Sequence, residues 1–267
     1  MKKTDRFEAI LGRLASGASI AVDELASDFG TSTATIRRDL GELARQSLLT
    51  RTHGGATARD MDYELPVRYR TTRHAEKQRI GAAAASLIPD GAVVGISGGT
   101  TTTEAARALA GHSRLTVVTN ALNIAAELAL RTDIQLVVTG GVARSASFEL
   151  VGSMAEQTVL AYNLDFLLLG VDGIDAQAGC TTHDGVEART NAAMVSRAKR
   201  VFVLADASKL GRITFANICS VNAVDALITT RPKPDERPSA LADPPVDANS
   251  DEALDRLAST GLEVLQA

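Results

Sequence analysis

Between Val93 and Leu265 the chain carries seven short apolar runs that do not alternate with polar residues: Val93–Ile96, Leu115–Thr119, Ile134–Val138, Phe166–Leu169, Val201–Leu204, Ala226–Ile228 and Leu262–Leu265. Helical stretches at about Thr102–Ala110, Ile124–Leu130, Met154–Tyr162 and Val186–Ala198 separate most of them. A strand that is apolar on both faces needs cover on both faces, and helices between strands supply it. That pattern predicts an α/β domain built on a mainly parallel sheet. Aromatic residues make up 3% of the chain and Trp is absent, while Ala, Val, Leu and Gly abound, so helices can lie close on the sheet.

Several classes are disfavoured. No apolar stretch follows Met1-Lys2-Lys3, so no signal peptide is expected. The richest apolar segment, Ala121 to Leu130, is interrupted by Asn123 and Glu127, and no membrane span is expected. Cys180 and Cys219 are far apart in sequence and away from any His cluster, which predicts neither a metal site nor a disulfide framework. A reducing cytoplasm is the expected location. The net charge is −4, but residues 1–80 hold 14 Lys and Arg against 11 Asp and Glu, whereas the remainder holds 14 against 21. That asymmetry permits nucleic-acid binding at the N-terminal end without demonstrating it.

Ahead of the α/β pattern lies a different one. Asp5 reads as an N-cap for a helix Arg6–Ala15, with Phe7, Ile10, Leu11 and Leu14 on one face and Gly17 ending it. A second helix fits Val22–Phe29, with Leu25 and Phe29 inward, and Gly30 supplies a tight turn. Ser32 then caps a third helix, Thr33–Ala44, with Ile36, Leu40 and Leu43 together. Leu48–Thr52, stopped by Gly54-Gly55, fits a β-wing. Three helices and a wing make a DNA-reading arrangement, in which the third helix presents short polar and basic side chains to base edges. Ser32, Thr33, Thr35, Arg37 and Arg38 are the candidates there, with Arg51 and His53 on the wing. The same spacing also describes a small three-helix domain with solvated arginines.

The residues themselves carry a resemblance. Val22-Asp23-Glu24-Leu25-Ala26, Thr35-Ile36-Arg37-Arg38-Asp39-Leu40 and Arg51-Thr52-His53-Gly54-Gly55-Ala56 resemble the signature of the DeoR family of bacterial regulators over about the first 56 residues. Ser47 stands where family members place a glycine. The resemblance implies a winged helix-turn-helix over residues 1–57, joined by a linker at 58–73 to the α/β domain at 74–267. Within that domain, residues 231–250 hold five of the seven prolines and predict an extended or disordered loop.

The first α/β strand ends in Ser97-Gly98-Gly99-Thr100-Thr101-Thr102-Thr103 directly before a helix. Such a turn offers backbone N–H groups and hydroxyls to an anion at the positive end of the helix. It is neither a Walker A nor a dinucleotide fingerprint. Other strand ends finish in Thr119-Asn120, Thr139-Gly140-Gly141, Gly170-Val171-Asp172-Gly173 and Asp206 with Ser208-Lys209. Ligands of open α/β sheets bind at that edge. Each turn can equally satisfy only its own backbone.

These turns, with Gly140-Gly141 leading to Arg144 and with Leu150-Val151-Gly152, resemble the DeoR sensor domain over residues 76–230, which is similar in fold to ribose-5-phosphate isomerase. Ser153 stands where proline is usual. The resemblance implies a phosphorylated sugar as effector, with Gly98, Gly99, Thr100, Thr101 and Thr102 around the phosphate. Asn120, Gly141, Arg144, Asp172, Asp206 and Lys209 would complete the site. It further implies repression of a sugar-metabolism operon.

Two other readings stand beside this one. An isomerase with an attached DNA-binding domain would need a carboxylate base and a cation. Asp172 and Asp175 match the aspartates of the isomerase motif, but Gly173 replaces its glutamate, and no lysine occurs between Lys77 and Lys199. A ligand-free oligomerisation domain is the third. The expected partners are double-stranded operator DNA, a phosphorylated sugar and further copies of the chain. No cofactor, metal, membrane or catalytic residue is expected.

Overall fold

In the computed structural model, which describes residues 2–15, 19–46, 48–57, 73–231 and 250–267, the chain divides into two units, the second opening at Arg73. Gly17, Ser47, the linker at 58–72 and the proline-rich stretch at 232–249 lie outside the described residues.

The first unit contains α1 (Lys3–Ala15), β1 (Ile20–Ala21), α2 (Val22–Asp28), α3 (Thr33–Arg45), β2 (Thr50–Arg51) and β3 (Gly55–Thr57). Helix α1 starts at Lys3, so Asp5 is not its N-cap. The Asp5 carboxylate instead sits in the first turn and accepts the Lys2 backbone N–H at 3.3 Å, the reach-back half of a capping box. The predicted helical faces meet in one core: Ile10, Leu11, Leu14, Leu25, Ile36, Leu40 and Leu43 are fully buried. The wing strands form a three-stranded sheet in the order β1-β3-β2. Its inner contact is tight, because a Cβ on Gly55 would lie 1.8 Å from the Ile20 carbonyl oxygen.

The second unit is an α/β domain with a seven-stranded parallel sheet. Its strands are β4 (Val93–Ile96), β5 (Thr116–Thr119), β6 (Gln135–Val138), β9 (Leu164–Gly170), β12 (Ala198–Leu204), β14 (Ala226–Thr229) and β15 (Glu263–Gln266). Each of the seven apolar runs became one of them. The order across the sheet is β15-β14-β12-β9-β4-β5-β6. Winding therefore proceeds one way from β4 and the other way from β9, and the crevice at the C-terminal ends of these two central strands is a topological switch point. The helices are α4 (His74–Ser86), α5 (Thr100–Ala108), α6 (Leu122–Leu128), α7 (Ser153–Leu160), α8 (Gly185–Arg197) and α9 (Ser250–Ser259). Val94, Ile96, Leu168, Phe202, Leu204 and Ile228 share one buried cluster with Ile80, Ala84 and Leu109. Gly95 lets the other face close, since a Cβ there would lie 2.6 Å from a Leu164 methyl.

Three features depart from the sequence-based expectation. A hairpin of β7 (Val142–Arg144) and β8 (Glu149–Val151) lies outside the main sheet. A small antiparallel sheet joins β10 (Gly173–Asp175), β11 (Gly179–Thr182) and β13 (Ala216–Cys219). In it Cys180 and Cys219 are cross-strand partners, so they are close in space despite their separation in sequence, and both are free thiols. Finally, Ser250 opens helix α9 where the loop was expected to continue. Ala253, Leu254 and Leu257 bury its apolar face. Among the described residues no helix is long and apolar enough to cross a membrane.

Candidate functional site

In the first unit, Ser32 caps α3: its Oγ accepts the Thr35 N–H at 3.2 Å and lies 2.9 Å from Thr35 Oγ1. The hydroxyl is thus engaged in the turn, while Thr33 and Thr35 remain half-buried and Arg37 and Arg38 exposed. Asp39, next to the two arginines, points inward. Its carboxylate takes the Arg6 Nε–H at 2.7 Å and ties α1 to α3. On the wing, the Thr52 N–H donates to the Gly55 carbonyl at 3.0 Å, and Arg51 and His53 are exposed. A Cβ on Gly41 of α3 would lie 3.9 Å from an Arg51 guanidinium nitrogen, so the wing arginine lies beside the third helix. Arg37 and Arg38 are thus exposed on α3 and Arg51 lies beside that helix at Gly41, and all three are side chains suited to guanine edges and phosphates.

In the second unit the candidate site lies at the switch point. The first intrahelical bond of α5 runs from the Thr103 N–H to the Gly99 carbonyl at 3.1 Å. The N–H groups of Thr100, Thr101 and Thr102 precede it and have no i−4 partner. Gly99 has φ 132°, a conformation that favours glycine, and it sets the turn. Two parts of the expected cradle are corrected. The Gly98 N–H donates to Glu149 Oε1 at 2.6 Å, and a Cβ on Gly98 would lie 2.4 Å from that side chain, so Gly98 faces a carboxyl group. The Thr102 and Thr103 hydroxyls donate to the Gly99 carbonyl at 3.0 and 2.7 Å and are spent within the turn.

A buried polar network extends from there. Asn191 donates to Glu149 Oε2 at 3.4 Å and accepts from Asn120 Nδ2 at 3.4 Å. Asn120 is fully buried and its Oδ1 has no partner. The Thr182 hydroxyl lies 3.0 Å from Asp172 Oδ2 and 2.5 Å from Glu187 Oε1. A hydroxyl has one proton to donate, so both contacts are satisfied when one carboxyl is itself protonated. Burial, above all, and then the charge of Glu187 hold the Glu149 carboxyl well above the usual carboxylate range. Asp172 adds to that, and the Gly98 N–H and Asn191 oppose it.

The cations face this acidic set. Arg144 lies 3.2 Å from Glu187 and 3.4 Å from Asp184. Lys209 Nζ lies 3.8 Å from Asp172. Asp206 accepts the Ser208 N–H and hydroxyl at 3.0 and 2.5 Å. Burial pushes its carboxyl up, but Lys77, Lys209, the Ser208 hydroxyl and Arg73 together hold it below the usual range. Gly141 has a packing role: its φ is 127°, and a Cβ there would lie 2.7 Å from the Val151 carbonyl oxygen.

The fold therefore brings Asn120, Arg144, Asp172, Asp206 and Lys209 into one network beside the α5 turn. It adds Glu149, Glu187, Asn191 and Thr182, which the sequence reading did not select. Glu187 carried a local signal. Asp184 caps α8, accepting the Val186 and Glu187 N–H groups at 2.8 and 2.9 Å, and an acid three residues after a cap marks a helix start. Glu149 carried none, because its partner Gly98 lies far upstream.

Two family models match the chain: the DeoR-like helix-turn-helix domain over residues 6–61, and the DeoR C-terminal sensor domain over residues 72–231. The chain is 37% identical over 235 residues to the glycerol-3-phosphate regulon repressor of Escherichia coli K12, covering 88% of this chain and 93% of that protein. It is 36% identical over 229 residues to a putative aga operon transcriptional repressor of Escherichia coli O157:H7, covering 84% and 85%. Among solved structures, ribose 5-phosphate isomerase A from Neisseria gonorrhoeae aligns over 52% of this chain and 54% of its own, at 20% identity and a TM-score of 0.38.

Proposed function

The chain belongs to the DeoR family of transcriptional regulators, and on that premise we propose that it represses a sugar-metabolism operon and leaves its operator when a phosphorylated sugar binds the second unit. Its place of work is then the cytoplasm, with the DNA. The observation that carries the effector reading is the polar network at the switch point. Helix α5 offers three N–H groups without intrahelical partners at its positive end, next to a buried network of carboxyl, amide and ammonium groups suited to hydroxyls. The named relatives, one a repressor of a glycerol-3-phosphate regulon and one a putative repressor of an aga operon, support the repressor reading.

Binding without turnover is favoured over isomerisation. The Glu149 carboxyl is held by the Gly98 N–H and Asn191, and Gly173 stands where the isomerase motif has glutamate. A homo-oligomer is the expected state, because one winged helix contacts too few base pairs for strong discrimination and paired half-sites match a two-fold protein. Val142, Met154, Ile213 and Phe215 of the second unit are exposed and available for such contacts.

The test is operator binding titrated with a panel of sugar phosphates, alongside thermal shifts of the same samples. A ligand at 100 times its Kd stabilises by about 2.7 kcal/mol. One member should both raise the melting temperature and release DNA. Release by none of them would overturn the effector reading, and conversion of ribose 5-phosphate to ribulose 5-phosphate would overturn the non-enzymatic one.

A further inference from the structure

We propose that Cys180 and Cys219 are a redox modification site, in which a peroxide closes the two thiols into a disulfide across strands β11 and β13. They are direct partners in an antiparallel ladder. Such partners have Cα atoms about 4.5–5.5 Å apart, inside the roughly 4.4–6.8 Å that a disulfide spans. Directly opposed residues of an antiparallel pair project their side chains from the same face of the sheet, so the two thiols stand side by side. The backbone around them is held in place. Gly179, at φ 75°, brings β11 so close that a Cβ on it would lie 2.2 Å from the Cys219 carbonyl oxygen. Asn217 Nδ2 donates to the Ala178 carbonyl at 2.5 Å and to that of Cys219 at 3.4 Å. The register then slips, with Thr181 opposite Asn217, which leaves Ile218 as the extra residue of a bulge.

The two thiols have distinct parts. Cys180 is buried, whereas Cys219 is partly exposed. The hydrogen bond from Cys180 lowers the Cys219 thiol, while donating that bond, together with burial, pushes Cys180 up. Cys219, the thiol that a peroxide can reach, is the attacking thiolate. Its sulfur attacks one peroxide oxygen, the O–O bond breaks, and the departing hydroxide takes a proton to leave as water. Cys219 is then a sulfenic acid. Cys180, on losing its proton, attacks the Cys219 sulfur; the S–O bond breaks, and the second hydroxide leaves with that proton as water. Two thiols and one hydrogen peroxide give one disulfide and two waters, a two-electron oxidation of the pair. In a reducing cytoplasm such a bond is transient, the use to which cytosolic disulfides are put.

Strand β11 links this chemistry to the pocket. The residues after Cys180 are Thr181, which receives the Thr214 N–H at 3.0 Å, and Thr182, which holds Asp172 and Glu187. Locking β11 to β13 therefore acts on the wall of the effector site. That consequence rests on the effector reading, whereas the modification itself does not.

The experiment treats the reduced full chain with hydrogen peroxide, blocks free thiols with N-ethylmaleimide, and reads intact mass and a peptide map. The expected product is a monomer that has lost two hydrogens, takes up no maleimide, and contains the Cys180 peptide joined to the Cys219 peptide. Dithiothreitol should restore two reactive thiols. In Cys180→Ala, chosen because alanine keeps that buried position apolar, Cys219 should stop at a sulfenic acid trapped by dimedone. Wild-type protein whose thiols both stay reactive, whose Cys219 proceeds to sulfinic acid uncrosslinked, or which crosslinks only between chains would overturn the proposal. Operator release by the effector, compared before and after oxidation, reads the link to the pocket, and an unchanged response would remove that link. Release by no sugar phosphate in either state would count against the effector reading and leave the disulfide result standing.

Discussion

Glu149 shows what a single side chain can decide. Burial and the neighbouring charges of Glu187 and Asp172 raise its carboxyl, so the folded state binds a proton that the unfolded chain releases above about pH 4.5. A carboxyl whose folded value is raised favours the fold at low pH, and stability is lost as pH climbs from 4.5 towards that raised value. Glutamine keeps the acceptor for the Gly98 N–H and cannot ionise. The melting temperature of Glu149→Gln relative to wild type should therefore rise between pH 4.5 and pH 8, each kcal/mol amounting to about 2–4 °C. A difference that stays flat across that range would show that the fold does not raise the Glu149 carboxyl. None of this was legible in the sequence, because burial and the Gly98 contact are products of the fold. Asp39 teaches the same lesson: adjacent to Arg38 in sequence, it faces the opposite way and serves Arg6.

At the scale of elements the sequence was far more transparent. A strand at the centre of the sheet must be apolar on both faces, and that requirement is visible in three to five consecutive residues, as at Val93–Ile96. Strands β7, β8, β10, β11 and β13 span three or four residues each and include charged or small ones, so no periodicity marks them. Helix α9 was hidden by the prolines before it, although Ala253, Leu254 and Leu257 carry its pattern. Two predictions belong here. Arg38→Ala, on the exposed face of α3, should weaken operator binding by about 1–3 kcal/mol if it reads a base. If it touches only phosphate, operator and random DNA should weaken alike, with a shallower salt dependence. Equal affinity for both DNAs before and after the change would reject α3 as the reading helix. At the start of α5, Thr100 is half-buried and takes a longer side chain with less overpacking than buried Thr101. Thr100→Glu sets a carboxylate over the free N–H groups, and should abolish release by sugar phosphate with operator affinity unchanged. Retained release would move the phosphate elsewhere.

For the whole molecule, the proposed function requires effector and operator to oppose each other through one free-energy coupling, typically 1–3 kcal/mol, or about 5–150-fold in affinity, and equal in both directions. The second unit contains a route for it. Arg73, where that unit opens, lies 3.4 Å from Glu76, and Glu76 accepts the Thr230 hydroxyl at 3.1 Å. Beside them, buried Lys77 and Arg73 hold the Asp206 carboxyl low, and Asp206 also faces Lys209, which pairs with Asp172 in the pocket. Asp206 thus stands between the helix that follows the linker and the candidate effector site. Spatial intermediacy is not yet coupling, and a double-mutant cycle supplies the difference. Asp206→Asn, Lys77→Met and the pair together should each leave operator affinity without effector within about threefold of wild type. The factor by which sugar phosphate weakens operator binding should fall towards one in each single variant. It should fall no further in the double variant, because both changes cut the same link. Losses that simply add would mean that Asp206 and Lys77 act independently, and an undiminished factor in Asp206→Asn would place the relay outside this network.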